Sequence, residues 1–353
     1  MNNNVVILGA EFDIESDLCS LWKSFLNKDI KIDCEKDYIR KNLLRDKYLG
    51  ICECAKMGVN AAHKAWDNSM GIDRKVNSER WGVMVGTAFG ECTSLYANQC
   101  KTLVKQGPMW LMPSAVTNKG PKTTADVLAI EKKLKGANLT FESGRISSGM
   151  AILHAFDEIT FQRLDGVVVI GTEYIDDYLK EATGILKRCI SNYASGACSI
   201  ILTSEDEAVG ITPKARLLTV EAVGGDGKPF HFSNNLKFYV KRVILQVLKK
   251  ANLETKEIDV LIYSGTNNEA ADVEVYMMLF SIFGEKTDIL STTECLGDFI
   301  GANSIIAVGV SLVFFSNQCI IRDKNLIYKE LKHILILTSE PSGNTWAGVL
   351  EKY

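Results

Sequence analysis

The stretch of this 353-residue chain most suggestive of chemistry is SGRISSGMAIL, residues 143–153. Small and polar residues (Ser143, Gly144, Ser147, Ser148, Gly149) form a turn that opens directly into an apolar helical pattern from Met150. A helix N-terminus presents unpaired backbone N–H groups and the positive end of the helix dipole, which favour a thiolate or a developing oxyanion. Such a turn is a seat for a nucleophile. The residue at its bend is Ile146, which has no nucleophilic atom. Ser147 and Ser148 offer hydroxyls, but a serine nucleophile needs a base, and the four histidines (His63, His154, His231, His333) are scattered along the chain.

The other reactive types are no better grouped. Ten cysteines include Cys52 and Cys54 one residue apart, while Cys19, Cys100, Cys198 and Cys319 stand singly in apolar segments. Without a CxxC pair, neither zinc spacing nor a redox motif is present, and reduced, buried thiols are expected. Cys295 is a conceivable rescue thiol, but a small buried residue in a turn is the simpler expectation. The glycine run VGGDGKPF (223–230) lacks the spacing of a phosphate cradle and reads as a loop.

The elements that must hold these residues are legible as short apolar runs: VVILG (5–9), WGVMVG (81–86), GVVVIG (166–171), CSIILTS (198–204), VLIYSG (260–265) and HILILTS (333–339). Several are apolar on both faces, as in central strands covered on both sides. Helical patterns lie between them, including residues 46–68 and 238–251, so an α/β fold is expected. A faint repeat is also present. VMVGTAFGE followed by LTFESGRISSGMAILHAF is echoed by VLIYSGTNNEA followed by DILSTTECLGDFIGANSIIAVGV. Each half has a strand ending in a Gly-Thr turn, then a strand, a glycine-bearing turn and a small-residue helix, as in a duplicated fold with a site between its halves.

Composition narrows the class. Hydrophobic residues make up 46%, charged residues 24%, and the net charge is −3, which excludes a whole-chain polyanion binder. The N-terminus lacks signal-peptide features and no uninterrupted apolar run reaches membrane-spanning length. A cytoplasmic protein bound to neither membrane nor nucleic acid is expected.

Taken in order, these segments resemble the β-ketoacyl synthases, condensing enzymes of the thiolase fold. NNVVILGAEF resembles their opening strand, DKYLGICECAKMGVNAAHKAW their first long helix, and GVMVGTAFGE the strand and glycine turn that follow. The segment from PSAVTNKG through FESGRISSGMAILHAFDEI parallels their nucleophile elbow; GVVVIGTEYID, YASGACSIILTSED and TSEPSGNTWAGVLE complete the landmarks. The resemblance implies two pseudo-duplicated halves in a five-layered α-β-α-β-α arrangement. The halves would span residues 1–205 and 206–353, with a dimer-interface insertion at about 90–140. It places the family's cysteine on Ile146, its first histidine on Ser264 of SGTNN, its lysine on Thr293 of STTE and its second histidine on Asp298 of GDFIGAN. All four catalytic types are absent.

Relatives that keep this fold without the cysteine are chain-length factors of type II polyketide synthases. The resemblance therefore implies a subunit, itself of doubtful catalytic capacity, that pairs with an active ketosynthase and shapes its polyketide tunnel for an aromatic or polyene product. The second partner would be an acyl carrier protein bearing the phosphopantetheine-bound chain. Many such factors carry glutamine where this chain has Ile146, so a decarboxylative priming role is not implied. Phe89 and the run Trp110, Leu111, Met112 are the expected tunnel-lining residues. Neither cofactor nor metal is expected. Carrier proteins are usually acidic, so LKRC (186–189) and Lys241–Arg242 are candidate docking charges. The alternatives are an atypical acyltransferase or condensing enzyme using Ser147, Ser148 or Cys295, and a stand-alone acyl-binding scaffold homodimer.

Overall fold

The computed structural model describes residues 4–15, 51–69, 72, 76–90, 92–185, 193–227, 232–322 and 325–353. The first half contains β1 (Val5–Glu15), α1 (Glu53–Asp67), β2 (Trp81–Gly86), α2 (Cys92–Gln106), α3 (Pro113–Lys119) and α4 (Thr123–Lys132). It continues through β3 (Asn138–Phe141), α5 (Ser147–Thr160), β4 (Gly166–Glu173), α6 (Asp177–Ile185) and β5 (Ser195–Ser204). The second half begins with β6 (Ala215–Val223), α7 (Leu236–Ala251), β7 (Val260–Ser264), α8 (Glu269–Phe283), β8 (Asp288–Ser291) and α9 (Thr292–Cys295). It ends with α10 (Asn303–Asn317), β9 (Cys319–Arg322), β10 (Asn325–Tyr328), β11 (His333–Ser339) and β12 (Thr345–Lys352).

The six apolar runs fall in β1, β2, β4, β5, β7 and β11. In β2 and β4 every residue is buried, because helices cover both faces. Ten strands form one mixed sheet in the order β3-β2-β4-β5-β1-β6-β12-β11-β7-β8. Read outward from the centre, β1-β5-β4-β2-β3 is matched by β6-β12-β11-β7-β8. The pairing sense is matched too: β2–β4 and β2–β3 are parallel, as are β7–β11 and β7–β8. The two sets meet through only three residue pairs, Val5–Leu217, Val6–Arg216 and Ile7–Ala215.

Three apolar clusters define the layers. One joins α1 and α4 to the first set of strands (Val59, Leu128, Val168), and another joins α7 and α8 to the second (Val243, Leu279, Leu335). The largest lies between them and includes residues of α5 and α10 with strands of both sets, such as Ile152, Ile306, Val169 and Ile336. The result is helices, sheet, central helices, sheet, helices.

Local outcomes differ from expectation in instructive ways. The first helix begins at Glu53, and residues 46–50 of the expected pattern lie outside the described residues. The stretch Ile300–Asn317 is in fact long and apolar enough to cross a membrane. Its sequence is apolar all round because α10 is enclosed by both sheet sets, and nearly all of it is buried. Among the described residues, Cys52, Cys54, Cys198 and Cys319 are buried, but Cys100 and Cys295 are exposed. Cys295 ends a one-turn helix instead of packing inside a turn.

Candidate functional site

The site forms where the C-terminal ends of β2, β4 and β7 approach the N-termini of α5 and α10. Gly144, at φ +60°, takes a left-handed conformation that reverses the chain after β3. A 3₁₀ turn, Gly144–Ile146, then leads into α5. The α5 N-terminus presses on the end of β2 so closely that a Cβ at Gly86 would meet the Ser148 backbone at 2.3 Å.

Ile146 is the hinge between the 3₁₀ turn and α5, at φ −90°, ψ 9°. Its side chain is 5% exposed and belongs to the central apolar cluster. Ser147 accepts from Ser143 N at 2.8 Å and donates to the Gly144 carbonyl at 2.6 Å. Ser148 accepts from Ile305 N at 3.3 Å. Both hydroxyls are buried and used to bind the elbow together.

Arg145, one residue before the bend, is the main group that sequence reasoning missed. Its side chain is buried and turned inward: Nη2 lies 2.6 Å from Asp298 Oδ1, and Nε donates to the Gly265 carbonyl at 2.9 Å. Asp298 also accepts from Asn303 Nδ2 (2.8 Å) and Ile300 N (3.0 Å) on Oδ1, and from Asn267 Nδ2 (2.9 Å) on Oδ2. Burial opposes the Arg145 charge, but the charge and hydrogen bonding of Asp298 outweigh it and hold the guanidinium above its ordinary pKa. Glu340 closes the opposite side, accepting from Arg145 N at 2.5 Å. Burial raises the Glu340 pKa, and the Arg145 N–H and charge partly offset the rise.

Ser264 and Thr293 stand in the same neighbourhood. Ser264 Oγ shares a 2.7 Å hydrogen bond with Thr292 Oγ1, and Thr293 Oγ1 lies 3.0 Å from Ser291 Oγ. The Ser264–Gly265–Thr266 turn is held by Asp272, which accepts from Tyr263 Oη (2.9 Å), Thr266 N (2.8 Å) and Thr266 Oγ1 (3.0 Å). A cleft of about 130 Å³ opens here, lined by Gly265, Asn267, Thr293 and Asp298 among others. Thus Arg145 ties Ile146, Ser264 and Asp298 into one cluster, and Thr293 shares the cleft.

A second buried carboxylate supports the site from behind. Glu173, at the end of β4, accepts from the backbone N–H groups of Ala88 (2.7 Å), Phe89 (3.0 Å), Gly90 (2.9 Å) and Gly301 (3.1 Å). Complete burial raises its pKa to about 7 despite these donors. It clamps the turn after β2 to the turn before α10.

The described histidines are engaged elsewhere. His63 pairs with Glu131 at 2.7 Å, His154 stacks on Phe141, and His333 Nδ1 lies 3.0 Å from the Glu257 carbonyl. His231 and the run 186–189 lie outside the described residues. Among the described residues, no group of three His, Cys, Asp or Glu side chains is placed to hold a metal ion. In the glycine run after β6, Gly225 N and Gly227 N donate to Asn344 Oδ1 and the Ser342 carbonyl, so they are occupied within a loop contact.

Phe89, Trp110, Leu111 and Met112 do not line this cleft. They belong to the excursion between β2 and β3, where Phe89, Trp110 and Met112 are exposed and Leu111 is half-buried. Met109, Tyr96 and Val104 of the same excursion are exposed as well.

Residues 40–200 match the family described as beta-ketoacyl synthase, N-terminal domain. No curated protein matches the chain. Among solved structures, the ishigamide ketosynthase/chain length factor is similar over 100% of both chains, with a TM-score of 0.82 at 16% identity. A beta-ketoacyl synthase from Burkholderia phymatum gives 0.79 at 16% identity over 99% of this chain and 100% of its own. A type II PKS acyl-carrier protein in complex with its ketosynthase bound to the hexaketide gives 0.77 at 14% identity over 100% of both chains. The chain has the thiolase-like ketosynthase fold.

Proposed function

We propose that this chain is a non-catalytic chain-length factor, which pairs with an active ketosynthase and bounds the tunnel into which a type II polyketide chain grows. One observation carries the reading: the elbow of a ketosynthase fold holds a buried isoleucine, and a buried Arg145–Asp298 ion pair stands beside it. An alkyl side chain accepts no acyl group, and serine and aspartate at 264 and 298 supply no imidazole to assist decarboxylation.

The fold would then act by shape. A chain grown on the partner's cysteine extends toward this subunit until bulky side chains stop it. Phe89, Trp110, Leu111 and Met112 are the proposed lining, and the exposure of Phe89, Trp110 and Met112 in the single chain suits residues covered only when a partner is bound. The carrier protein that delivers the chain is the second partner, and the cell interior is the proposed setting.

The deciding experiment is a native mass spectrum of this chain co-expressed with a cysteine-bearing ketosynthase from its own gene neighbourhood. A one-to-one complex with acyl adducts only on the partner is expected. A homodimer that ignores the partner, or an adduct on this chain, would overturn the reading.

A further inference from the structure

The turn that bears Phe89 is held by one side chain from a neighbouring strand. Glu173, fully buried at the end of β4, turns both carboxyl oxygens toward donors of two separate segments. Its Oε1 accepts from Phe89 N (3.0 Å), Gly90 N (2.9 Å) and the Thr87 hydroxyl (3.2 Å). Its Oε2 accepts from Ala88 N (2.7 Å) and Gly301 N (3.1 Å). Three consecutive backbone N–H groups, those of residues 88–90, therefore converge on one carboxyl group. Gly90, at φ +59°, permits that convergence, and its N–H is shared with Thr87 Oγ1 at 2.9 Å. The Phe89 ring is 42% exposed. A ring so open is aimed chiefly by its backbone, and Glu173 holds that backbone.

The far end of the clamp is fixed for a separate reason. Ile300, beside Gly301, is β-branched and stands at φ +43°, in the left-handed region that such residues avoid. Backbone of this kind persists only where its surroundings over-determine it. Here two buried carboxyl groups do so: Ile300 N donates to Asp298 Oδ1 at 3.0 Å, and the next N–H, of Gly301, donates to Glu173. A Cβ at Gly301 would lie 2.3 Å from Ala88 N, so the two turns touch through their backbones. Asp298 is also the partner of Arg145. Glu173 thus fastens the Phe89 turn to the same assembly that holds the elbow.

We propose that Glu173 is a positioning residue for chain length: resting on the function proposed above, it sets where Phe89 stops the growing polyketide by fastening residues 88–90 to the turn before α10. Glutamine keeps the size of this side chain but turns one acceptor oxygen into a donor NH2. Either the Phe89 turn or Gly301 then faces a donor in place of an acceptor, and the clamp is released.

The test measures product lengths from the synthase reconstituted with the cysteine-bearing ketosynthase of the same gene neighbourhood. Glu173→Gln is expected to raise the share of products at least one extender unit longer by about threefold. Thr87→Val keeps the side-chain shape and removes the hydroxyl shared by Glu173 and Gly90. It is expected to shift lengths the same way by about twofold, and it decides the matter if Glu173→Gln fails to fold. In a Phe89→Ala background, Glu173→Gln is expected to add nothing further, because it acts through the ring. A purely structural role would lower the melting temperature or the yield and leave length unaltered. Unchanged lengths in both variants, with the heterodimer intact by native mass spectrometry, overturn the proposal, as does a shift that persists without Phe89. Unchanged lengths in Phe89→Ala itself, or a missing heterodimer, reject the function proposed above and this proposal with it.

Discussion

The guanidinium of Arg145 meets the carboxylate of Asp298 at 2.6 Å, joining the elbow before α5 to the turn before α10. Both side chains are buried, and Asp298 is further held by two amide side chains and a backbone N–H. At the elbow this chain therefore holds a buried ion pair whose carboxylate is also held by three other donors. The pair positions the elbow and the Ser264 turn together, because Arg145 also reaches the Gly265 carbonyl.

Removing one partner of this pair should therefore be costly. Arg145→Met leaves Asp298 charged and buried without its counter-ion, a loss of about 3–5 kcal/mol. The double variant Arg145→Met/Asp298→Leu removes both charges and should recover much of that loss. Urea unfolding of the two single variants and the double variant measures the coupling. Additive losses would mean that the pair contributes nothing as a pair.

Restoring the missing thiol should not restore condensation. Ile146→Cys removes buried methyl groups at about 1–2 kcal/mol and leaves the fold intact. No imidazole stands at positions 264 or 298 to assist loss of carbon dioxide. Carbon dioxide release from a malonyl-loaded carrier protein is the readout, and release above the wild-type background would contradict the proposed non-catalytic role.

Product length offers a direct check on the proposed lining. Trp110→Ala and Phe89→Ala alter exposed side chains of the single chain, so stability should change by no more than about 0.5 kcal/mol. In the reconstituted synthase each should shift products toward longer chains. Unchanged lengths, with the complex intact by native mass spectrometry, would remove these residues from the gate.

Glu173 predicts how stability varies with pH. Its carboxyl titrates near 7 in the fold against an ordinary value of 4.5, chiefly because it is buried. Between these values the native state holds more protons than the unfolded state, so the contribution is complete below pH 4.5 and is lost as pH rises through 7. The span is worth about 3 kcal/mol. Glu11, raised by burial to about 7 as well, adds a dependence of the same sign. Glu173→Gln should lower stability at acid pH by leaving backbone donors poorly matched, and should flatten the decline between about pH 5 and about pH 8. Urea midpoints across that range test both points, and an unaltered slope would remove Glu173 as its source.

Much of the architecture is legible in the chain itself because the signals are local. Strands covered on both faces must be apolar on both faces, and β2, β4 and β11 show this in consecutive residues. The elbow is legible too, since a left-handed turn needs Gly144 and a helix pressed onto a strand end needs small residues beside it. The isoleucine at its bend is a plain fact of sequence. Other features depended on which distant segments meet. Arg145 reads locally as a charged residue in a turn; only the fold brings Asp298, Gly265 and Glu340 to it. The same holds for Ile300–Asn317, whose apolar composition suits a membrane or a core until two sheet sets enclose it. Sequence by itself determined the six apolar runs that become β1, β2, β4, β5, β7 and β11, and that Ile146 stands at the bend. Tertiary structure decided which charges are paired and which apolar surfaces are left open, because pairing and burial are properties of neighbours brought together from across the chain.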